Sequence, residues 1–469
     1  MPSCPIKTRF APSPTGLMHL GNLRTALFNL LLARQHAGGR FVLRIEDTDR
    51  ARSSVAAETA LMQDLHWLGL DWDEGPQRDA PGGPWRQSER AGLYAGLYQS
   101  LEQARLAYPC FCSDQELQRQ RKAQLAAGQP PRYPGTCRHL AGAEIRARLE
   151  RGDRPTLRFR LPAGRLIVYQ DLVRGEQRVS ADELGDFIIC RADGSAAFLF
   201  CNAVDDALMQ ITHVLRGEDH LTNTPRQLLL LEALALTAPR YGHLPMILGP
   251  DGAPLAKRHG SRSAAALRTA GYLPGALLNY LARLGHAYGD IGLQDLAGLA
   301  EAFNVRRIGR APAHFDPQQL DHWQQQAVAR APAAALEAWL DNMPVPAEER
   351  QRFVQVLQHN VRFPSELQDW AERIYGQLPP LDEHQREILA AAGADFFTAA
   401  ARLLEEDGTL SLERLRQATG VRGRLLFLPL RLAITGQPHG PELPQLLALM
   451  SPQRLHKRLR QAAELARTR

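Results

Sequence analysis

The sequence predicts an α/β domain built on a doubly wound parallel sheet, interrupted by an α+β insertion and followed by an all-α C-terminal region. Three observations support this fold class. Residues 7–50 follow a strand–loop–helix–strand pattern, residues 156–200 alternate or run apolar as strands do, and from about residue 325 Ala, Leu, Gln and Arg recur at helical spacing. A chain of 469 residues is too long for one compact core, so we expect several domains.

The N-terminal βαβ unit is the part of the fold that the sequence predicts most clearly. Residues 7–10 predict a short strand, and residues 41–45 predict a second, buried strand that ends in the charged cluster 46–50. Between them lies a helix with one apolar stripe at a 3.6-residue period, formed by Leu23, Ala26, Leu27, Leu30 and Leu31. Because doubly wound sheets bind ligands at the carboxyl ends of their strands, we expect a site there.

His19 and Gly21 lie where the first loop enters this helix. Free backbone N–H groups and the positive end of the helix dipole favour phosphate at such a place, and glycine permits close approach. Pro12 and Pro14 restrict φ and stiffen the loop, as a preorganised site requires. A His-x-Gly motif alone is common in turns, so the flanking residues decide its meaning.

The overall composition is that of an ordinary soluble protein, with 44% hydrophobic and 23% charged residues. A formal charge of +6 is compatible with a polyanionic partner. The sequence has no run of about 18 apolar residues and no signal peptide, so we expect a cytoplasmic protein without a membrane partner. Its six cysteines are then better explained as thiols or metal ligands than as disulfides.

Lys257, in the segment 249–261 (GPDGAPLAKRHGS), is one of four lysines among 56 basic residues. An ammonium is a compact point charge that can contact a single phosphate oxygen, whereas a guanidinium is a broad planar fork. A lysine retained in an arginine-rich chain therefore indicates a need for compactness.

The segment RFAPSPTGLMHLGNLRTALFN, residues 9–29, resembles the first signature of class I aminoacyl-tRNA synthetases, with residues 19–22 in the HIGH position. Its beginning is similar to that of bacterial glutamyl-tRNA synthetases. Six further segments resemble the same family in order and spacing: RIEDTDR (44–50), DWDEGP (71–76), RQSER (86–90), NAVDD (202–206), ITHVLRGEDHLTNTPRQ (211–227) and GYLPGALLNYLARLGH (271–286).

The resemblance implies a glutamate–tRNA ligase that uses ATP and Mg²⁺ to form glutamyl-adenylate and then charges the 3′ end of tRNA(Glu). His19, Gly21 and Lys257 match the catalytic positions, and with Arg258 they match the ATP-binding positions. The second signature, KMSKS or KLSKR in the family, is PLAKR here, so Pro254 and Ala256 replace a lysine and a serine. Losing one charge-assisted phosphate contact costs about 1.5–3 kcal/mol, which slows such an enzyme without abolishing its activity.

The resemblance also assigns a pocket for a substrate with two carboxylates and one ammonium. Arg9 and Arg216 match the carboxylate binders, Ser13 and Glu46 the ammonium binders, and Asn202 a polar wall. Phe198 stands where the family usually has tyrosine, which removes one hydroxyl.

Residues 110–139 contain two pairs of candidate metal ligands. The pairs are Cys110-x-Cys112 and Cys137-x-His139, and 24 residues separate them. Thiolates and an imidazole in paired spacing suit one structural Zn²⁺. Relatives that the resemblance implies use a tyrosine as the fourth ligand, so Tyr133 competes with His139. Three thiols and a surface histidine without a metal are the alternative.

The expected domains are a Rossmann-type catalytic domain (1–100 and 203–255), an acceptor-binding insertion (101–202), a connecting helical domain that contacts the tRNA stem (256–325), and an all-helical anticodon-binding domain (326–469) with a break near 376–384. We expect a monomer. Two alternatives to a ligase specific for tRNA(Glu) stay open at this point: a duplicate that also or preferentially charges tRNA(Gln), and a noncatalytic tRNA-binding paralogue.

Overall fold

The computed structural model describes residues 5–255 and 263–467. Within these ranges the chain forms two compact units, one of residues up to 267 together with 277–317, the other of residues 268–276 together with 318–467. The predicted α/β sheet and its insertion fall in the first unit, and the predicted helical region falls in the second.

The first unit contains every strand of the described chain. These strands are β1 Lys7–Phe10, β2 Arg40–Leu43, β3 Ala107–Cys110, β4 Thr156–Phe159, β5 Leu166–Asp171, β6 Gly175–Ser180, β7 Phe187–Cys190, β8 His213–Gly217, β9 Arg240–Leu244, β10 Ile247–Leu248 and β11 Ala313–His314. The helices up to residue 302 are α1 Leu20–Arg34, α2 Val55–Trp67, α3 Ala91–Gln103, α4 Asp114–Ala126, α5 Gly142–Glu150, α6 Ala181–Leu184, α7 Phe198–Leu208, α8 Thr224–Ala233, α9 Ala264–Thr269, α10 Pro274–Arg283 and α11 Leu296–Ala302.

Two pairs of parallel strands form the sheet that carries the site. β1 pairs with β2 across the α1 crossover, as the sequence predicts, and β8 pairs with β9 across α8. The amide of Thr212 donates to the carbonyl of Lys7 at 2.9 Å and so joins β8 to β1 at their amino ends. The carboxyl ends of these strands therefore point to the same edge.

One buried side chain bridges the two strand pairs. Asn29, on α1, donates from Nδ2 to the carbonyl of Leu215 at 2.8 Å and accepts from the Leu215 amide at 3.2 Å. The Asn29 carbonyl also accepts from the Thr8 hydroxyl at 2.8 Å. Asn29 thus links the two strands, β8 through its side chain and β1 through its backbone carbonyl.

Helix α1 is buried along most of its length. Its predicted apolar stripe is buried, but so are Arg24, Phe28 and Asn29 on other faces. A helix that is covered on several sides no longer needs a single amphipathic face.

The insertion combines an antiparallel sheet in the order β3–β4–β7 with the β5–β6 hairpin. One part of the sequence prediction was wrong here, because the apolar residues 198–200 form the first turn of α7 and not a strand. Phe200, Cys201 and Val204 are buried on that helix. A short apolar run fits a strand and a buried helix equally well, so periodicity could not decide between them.

The second unit consists of helices in the part of it that the structure describes. They are α12 Pro317–Arg330, α13 Ala333–Leu336, α14 Arg350–Leu357, α15 Pro364–Tyr375, α16 Glu383–Ala392, α17 Ala394–Asp407, α18 Leu412–Thr419, α19 Arg424–Thr435, α20 Leu443–Leu447 and α21 Pro452–Leu465. One apolar core, including Phe353, Phe397 and Leu430, holds them together. The predicted break corresponds to the connection between α15 and α16.

The fold class that the sequence predicted is confirmed: a parallel α/β sheet with an α+β insertion precedes an all-helical region. None of the helices within residues 5–255 and 263–467 combines the length and the apolar character that crossing a bilayer requires.

Candidate active site

A cleft of about 590 Å³ opens at the carboxyl ends of β1 and β8. It brings together eight of the residues that the sequence singled out, namely Arg9, Ser13, His19, Gly21, Glu46, Phe198, Asn202 and Arg216. Pro254 and Leu255 also line it. Lys257 and Arg258 lie outside the described residues, so the structure gives no position for them.

His19 is the N-cap of α1. Its Nδ1 accepts a hydrogen bond of 3.1 Å from the amide of Gly21, and its own amide donates to Oδ1 of Asn22 at 3.3 Å. Because Nδ1 accepts, the neutral ring carries its proton on Nε2, which is then a donor. A Cβ on residue 21 would lie 2.9 Å from Cε1 of His19, so the ring can take this position only beside glycine.

Arg9 belongs to a buried charge cluster at the floor of the cleft. Nε and Nη2 of Arg9 donate to the two carboxylate oxygens of Asp206 at 3.1 and 3.2 Å. Arg44 donates to Asp206 at 2.7 Å and to Glu46 at 2.9 Å. Nδ2 of Asn202 adds a bond of 2.7 Å to the same oxygen of Glu46. These bonds fix Arg9 and Glu46 before any ligand arrives.

Arg216 is held in a different way, by neutral groups. It is only 4% exposed, and its Nε donates to Nε2 of His243 at 3.1 Å. Its Nη2 donates to Thr224 and Gln227, both at 2.7 Å, and its Nη1 to Oδ1 of Asn202 at 3.3 Å. Within the described part of the chain, no carboxylate forms an ion pair with Arg216. Its charge is therefore available to an anionic ligand.

The electrostatics of the cluster favour an anion. Arg9, Arg44 and Arg216 are cationic, and Asp206 and Glu46 are their acidic neighbours, which leaves one net positive charge when all five are ionised. Burial alone would raise the pKa of Asp206, but Arg9 and Arg44 hold it below its usual value. Burial raises the pKa of Glu46 although Arg44 opposes the shift, and burial lowers the pKa of Arg216. Unpaired positive charge in a desolvated pocket attracts a carboxylate strongly.

The remaining two predicted pocket residues lie at the rim of the cleft. Ser13 is exposed in the loop before α1. Phe198 begins α7, and its ring lies 5.3 Å from the ring of His220, tilted by 31°. Burial lowers the pKa of His220 to about 4, so the imidazole of His220 is neutral near pH 7. Phe198 therefore presents an aromatic face without a polar atom.

Three of the predicted metal ligands converge in the insertion, 101–202. The sulfur atoms of Cys110, Cys112 and Cys137 all lie within 4.8 Å of one another, and those of Cys112 and Cys137 are 3.6 Å apart. The hydroxyl of Tyr133 lies 3.3 Å from Sγ of Cys110 and 3.7 Å from Sγ of Cys112. His139 is exposed and is not part of this group. Spacing alone could not distinguish the phenol from the imidazole.

The dimensions of this cluster suit zinc. A regular tetrahedron with Zn–S distances of 2.3 Å has edges of about 3.8 Å, close to the 3.6 Å between the sulfur atoms of Cys112 and Cys137. Burial would raise the pKa of Cys110, but hydrogen bonds that include the Tyr133 hydroxyl lower it below its ordinary value. The guanidinium of Arg158, 3.8 Å over the ring of Tyr133, is a further favourable charge for anionic ligands.

Sequence reasoning missed several residues that organise the cleft: Arg44, Asp206, Asp171 and His243. Two of them had a visible signal, because Arg44 begins the segment RIEDTDR and Asp206 ends NAVDD, and an acid within an apolar helix needs a buried partner. Asp171 ends β5 and His243 lies in β9, and neither had such a signal, because the partner of each lies on the other strand.

Comparison with known proteins agrees with this geometry. The family described as "tRNA synthetases class I (E and Q), catalytic domain" matches residues 5–322, and the family described as "Anticodon binding domain" matches residues 332–463. The chain is 57% identical to glutamate–tRNA ligase 2 of Alkalilimnicola ehrlichii over 99% of this chain and 98% of that protein. It is 55% identical to glutamate–tRNA ligase 2 of Nitrosococcus oceani over 98% of each chain.

A solved structure is similar over the whole length as well. The crystal structure of a glutamate tRNA ligase from Elizabethkingia meningosepticum, described as in complex with its amino acid, has a TM-score of 0.86 at 29% identity. The match covers 98% of this chain and 99% of that one. Taken with the cleft at the N-terminus of α1, these similarities lead to one conclusion: the chain belongs to the class I tRNA synthetases of the glutamate and glutamine group.

Proposed function

We propose that this enzyme is a glutamate–tRNA ligase, which activates L-glutamate with ATP and transfers it to the 3′ end of tRNA(Glu). The observation that carries the proposal is the pairing in one cleft of a phosphate-binding helix terminus with Arg216, a buried arginine held by neutral groups. Full-length identity of 55–57% to glutamate–tRNA ligases supports it.

The phosphates of ATP bind at the N-terminus of α1. Enzymes of this class use ATP with Mg²⁺, and the N–H groups at the start of α1, with Nε2–H of His19, can donate to phosphate oxygens. Gly21 leaves room for the ring of His19 at this helix start. Lys257 and Arg258, which follow the lining residue Leu255 in the sequence, supply positive charge to the pyrophosphate.

Glutamate binds beside the phosphates of ATP. Arg9 and Arg216 take the two carboxylates, and Glu46 and Ser13 take the ammonium. The fixed charge cluster holds one net positive charge, and glutamate brings one net negative charge, so binding neutralises the pocket. Asn202 contacts both Glu46 and Arg216 and so fixes the distance between the binding positions. Phe198 supplies an apolar wall.

The reaction then requires positioning rather than a protein nucleophile. A carboxylate oxygen of glutamate bonds to the α-phosphorus of ATP, the bond between the α-phosphorus and the bridging oxygen breaks, and its electron pair leaves with pyrophosphate. The 2′-hydroxyl of the terminal adenosine next attacks the acyl carbon and releases AMP. His19 and Lys257 stabilise the negative charge that develops on the phosphates.

One structural zinc belongs to the insertion in this proposal. Cys110, Cys112 and Cys137 are three of its ligands, and the Tyr133 oxygen is the fourth in preference to His139, because the hydroxyl lies among the thiols. A zinc ion held by these residues would link the end of β3 to the loop before α5 and would take no part in the chemistry.

We expect the domain boundaries to be those that the sequence predicts. Residues 1–100 and 203–255 form the catalytic domain, 101–202 the acceptor-binding insertion, 256–325 the connecting domain and 326–469 the anticodon-binding domain. The end of the catalytic-family match at 322 and the start of the anticodon-family match at 332 support the last boundary. We expect the enzyme to act as a monomer in the cytoplasm.

The test is aminoacylation with [¹⁴C]glutamate of purified tRNA(Glu) and tRNA(Gln) in separate reactions, with Lys257→Ala as the control. We expect tRNA(Glu) to be charged and the variant to be slower by about ten- to a hundredfold. Charging of tRNA(Gln) would establish broader tRNA specificity. Charging of neither tRNA would contradict the proposal and leave a tRNA-binding protein.

A further inference from the structure

Hydrogen bonds connect three buried side chains from the insertion to the cleft, and the Thr224 hydroxyl lies 3.0 Å from Nε2 of the histidine among them. Oδ2 of Asp171 lies 2.5 Å from Nδ1 of His243, and Nε2 of His243 accepts from Nε of Arg216 at 3.1 Å. The side chains of Asp171 and His243 are both fully buried. Asn202 connects Arg216 to the cluster of Arg9, Arg44, Glu46 and Asp206, whereas neither Asp171 nor His243 lines the cleft.

The hydrogen bonds define the protonation states along the chain. The Asp171 carboxylate can only accept, so Nδ1 of His243 carries the proton and Nε2 is the acceptor, as the Nε–H of Arg216 requires. Burial opposes ionisation of Asp171, yet the hydrogen bond from His243 and backbone amides hold its pKa below the usual value. Burial lowers the pKa of His243, in agreement with a neutral imidazole.

Asp171 is itself fixed from several directions. Its Oδ1 accepts from the amides of Val173 at 2.9 Å and Arg174 at 2.7 Å, at the turn of the β5–β6 hairpin. Leu172 donates to the carbonyl of Tyr241 at 2.8 Å, which attaches the hairpin to β9.

The residue before His243 makes this attachment possible. A Cβ on Gly242 would lie 3.1 Å from Cβ of Leu172 and 2.8 Å from Cδ2 of Leu215. Glycine thus allows the hairpin to approach β9 closely enough for Asp171 to reach His243.

We propose that Asp171 and His243 are positioning residues for Arg216: they orient its guanidinium and support its charge without pairing with it directly, so that the cation stays available to the carboxylate of the amino-acid substrate. This inference rests on the proposed function, in which Arg216 binds a glutamate carboxylate. An acidic side chain in direct contact would neutralise Arg216 and compete with the substrate. With one neutral imidazole between them, Asp171 stabilises the cation without occupying its binding face.

The test compares steady-state kinetics of tRNA glutamylation for the wild type, His243→Leu, His243→Gln and Asp171→Asn. Leucine removes the acceptor for Nε of Arg216, whereas the side-chain carbonyl of glutamine can restore it. We expect His243→Leu to raise the KM for glutamate by about ten- to a hundredfold at nearly unchanged KM for ATP, the size of one lost hydrogen bond to a charged group. His243→Gln should recover most of this loss, and Asp171→Asn should raise the KM for glutamate selectively.

His286→Leu is the matched control, because His286 is also buried in the first unit but does not line the cleft. It should lower the melting temperature and leave both KM values unchanged. The positioning role is overturned when the KM for glutamate is unaltered in His243→Leu or when the KM values for glutamate and ATP rise together. It is also overturned when His243→Gln recovers none of the loss seen in His243→Leu. Should His243→Leu fail to fold, an unaltered KM for glutamate in Asp171→Asn overturns it. A wild type that charges no tRNA with glutamate contradicts the proposed function instead.

Discussion

Nδ1 of His19 and the amide nitrogen of Gly21 are 3.1 Å apart, and the imidazole occupies the space that a side chain on residue 21 would need. The two positions of the His-x-Gly motif are therefore one structural unit. The glycine gives room to the ring, and the ring caps the helix whose N-terminus binds phosphate.

Gly21→Ala should displace His19, since the added Cβ would lie 2.9 Å from Cε1 and 3.0 Å from Nδ1 of the ring. We expect kcat/KM for ATP in pyrophosphate exchange to fall by about ten- to a hundredfold, because a capping bond and a phosphate donor are both lost. Gly96→Ala is the control: residue 96 is in α3 with nothing within 4 Å of an added Cβ. That change should stabilise the protein by about 0.5–1 kcal/mol at unchanged activity, and equal activity of both variants would contradict the steric argument.

His19→Asn and His19→Ala separate capping from catalysis. Asparagine is a good N-cap but has no donor at the position of Nε2, whereas alanine removes both functions. We expect both variants to lose about 10²–10³ in kcat, and only alanine to lose about 0.5–2 kcal/mol of stability. Pyrophosphate exchange and thermal melting measure the two effects. Wild-type kcat in His19→Asn would show that capping is the whole role of the residue.

Asp206→Asn should destabilise the first unit, because it leaves Arg9 and Arg44 buried with one anionic partner fewer. The expected loss is about 3–5 kcal/mol in the free energy of unfolding. Hydrogen exchange of the β1 and β8 amides reports this unit separately from the helical one. Glu232→Gln, in an exposed ion pair with Arg165, is the matched control and should cost less than about 1 kcal/mol. Similar losses in the free energy of unfolding in Asp206→Asn and Glu232→Gln would refute the argument that the cost depends on burial.

Metal analysis of the purified chain should find about one zinc per molecule, and its removal by a chelator should lower the melting temperature. Tyr133→Phe should weaken zinc binding at least about tenfold, since even a partner outside the ligand set is worth that much. His139→Ala should leave the affinity unchanged because this side chain is exposed. The reverse pattern, with loss in His139→Ala and none in Tyr133→Phe, would assign the imidazole as the ligand.

Local sequence patterns predicted much of this structure. The strand, loop and helix of residues 7–34 are contiguous, so periodicity and turn chemistry predicted β1, α1 and the placement of His19 and Gly21 at the helix start. The apolar residues 198–200 were predicted wrongly as a strand, because only the burial of Phe200 and Val204 on one helix identifies them as α7.

The sequence by itself determined the fold class, the family and eight residues of the cleft, because all of these depend on local patterns within short segments of the chain. Tertiary structure alone decided which residues that are distant in the sequence meet. Asp171 and His243 are 72 positions apart, and the thiols meet Tyr133 and not His139. These contacts depend on strand register, on the packing of the β5–β6 hairpin against β9 and on the path of a loop. None of the three leaves a local periodic pattern from which a contact could be predicted.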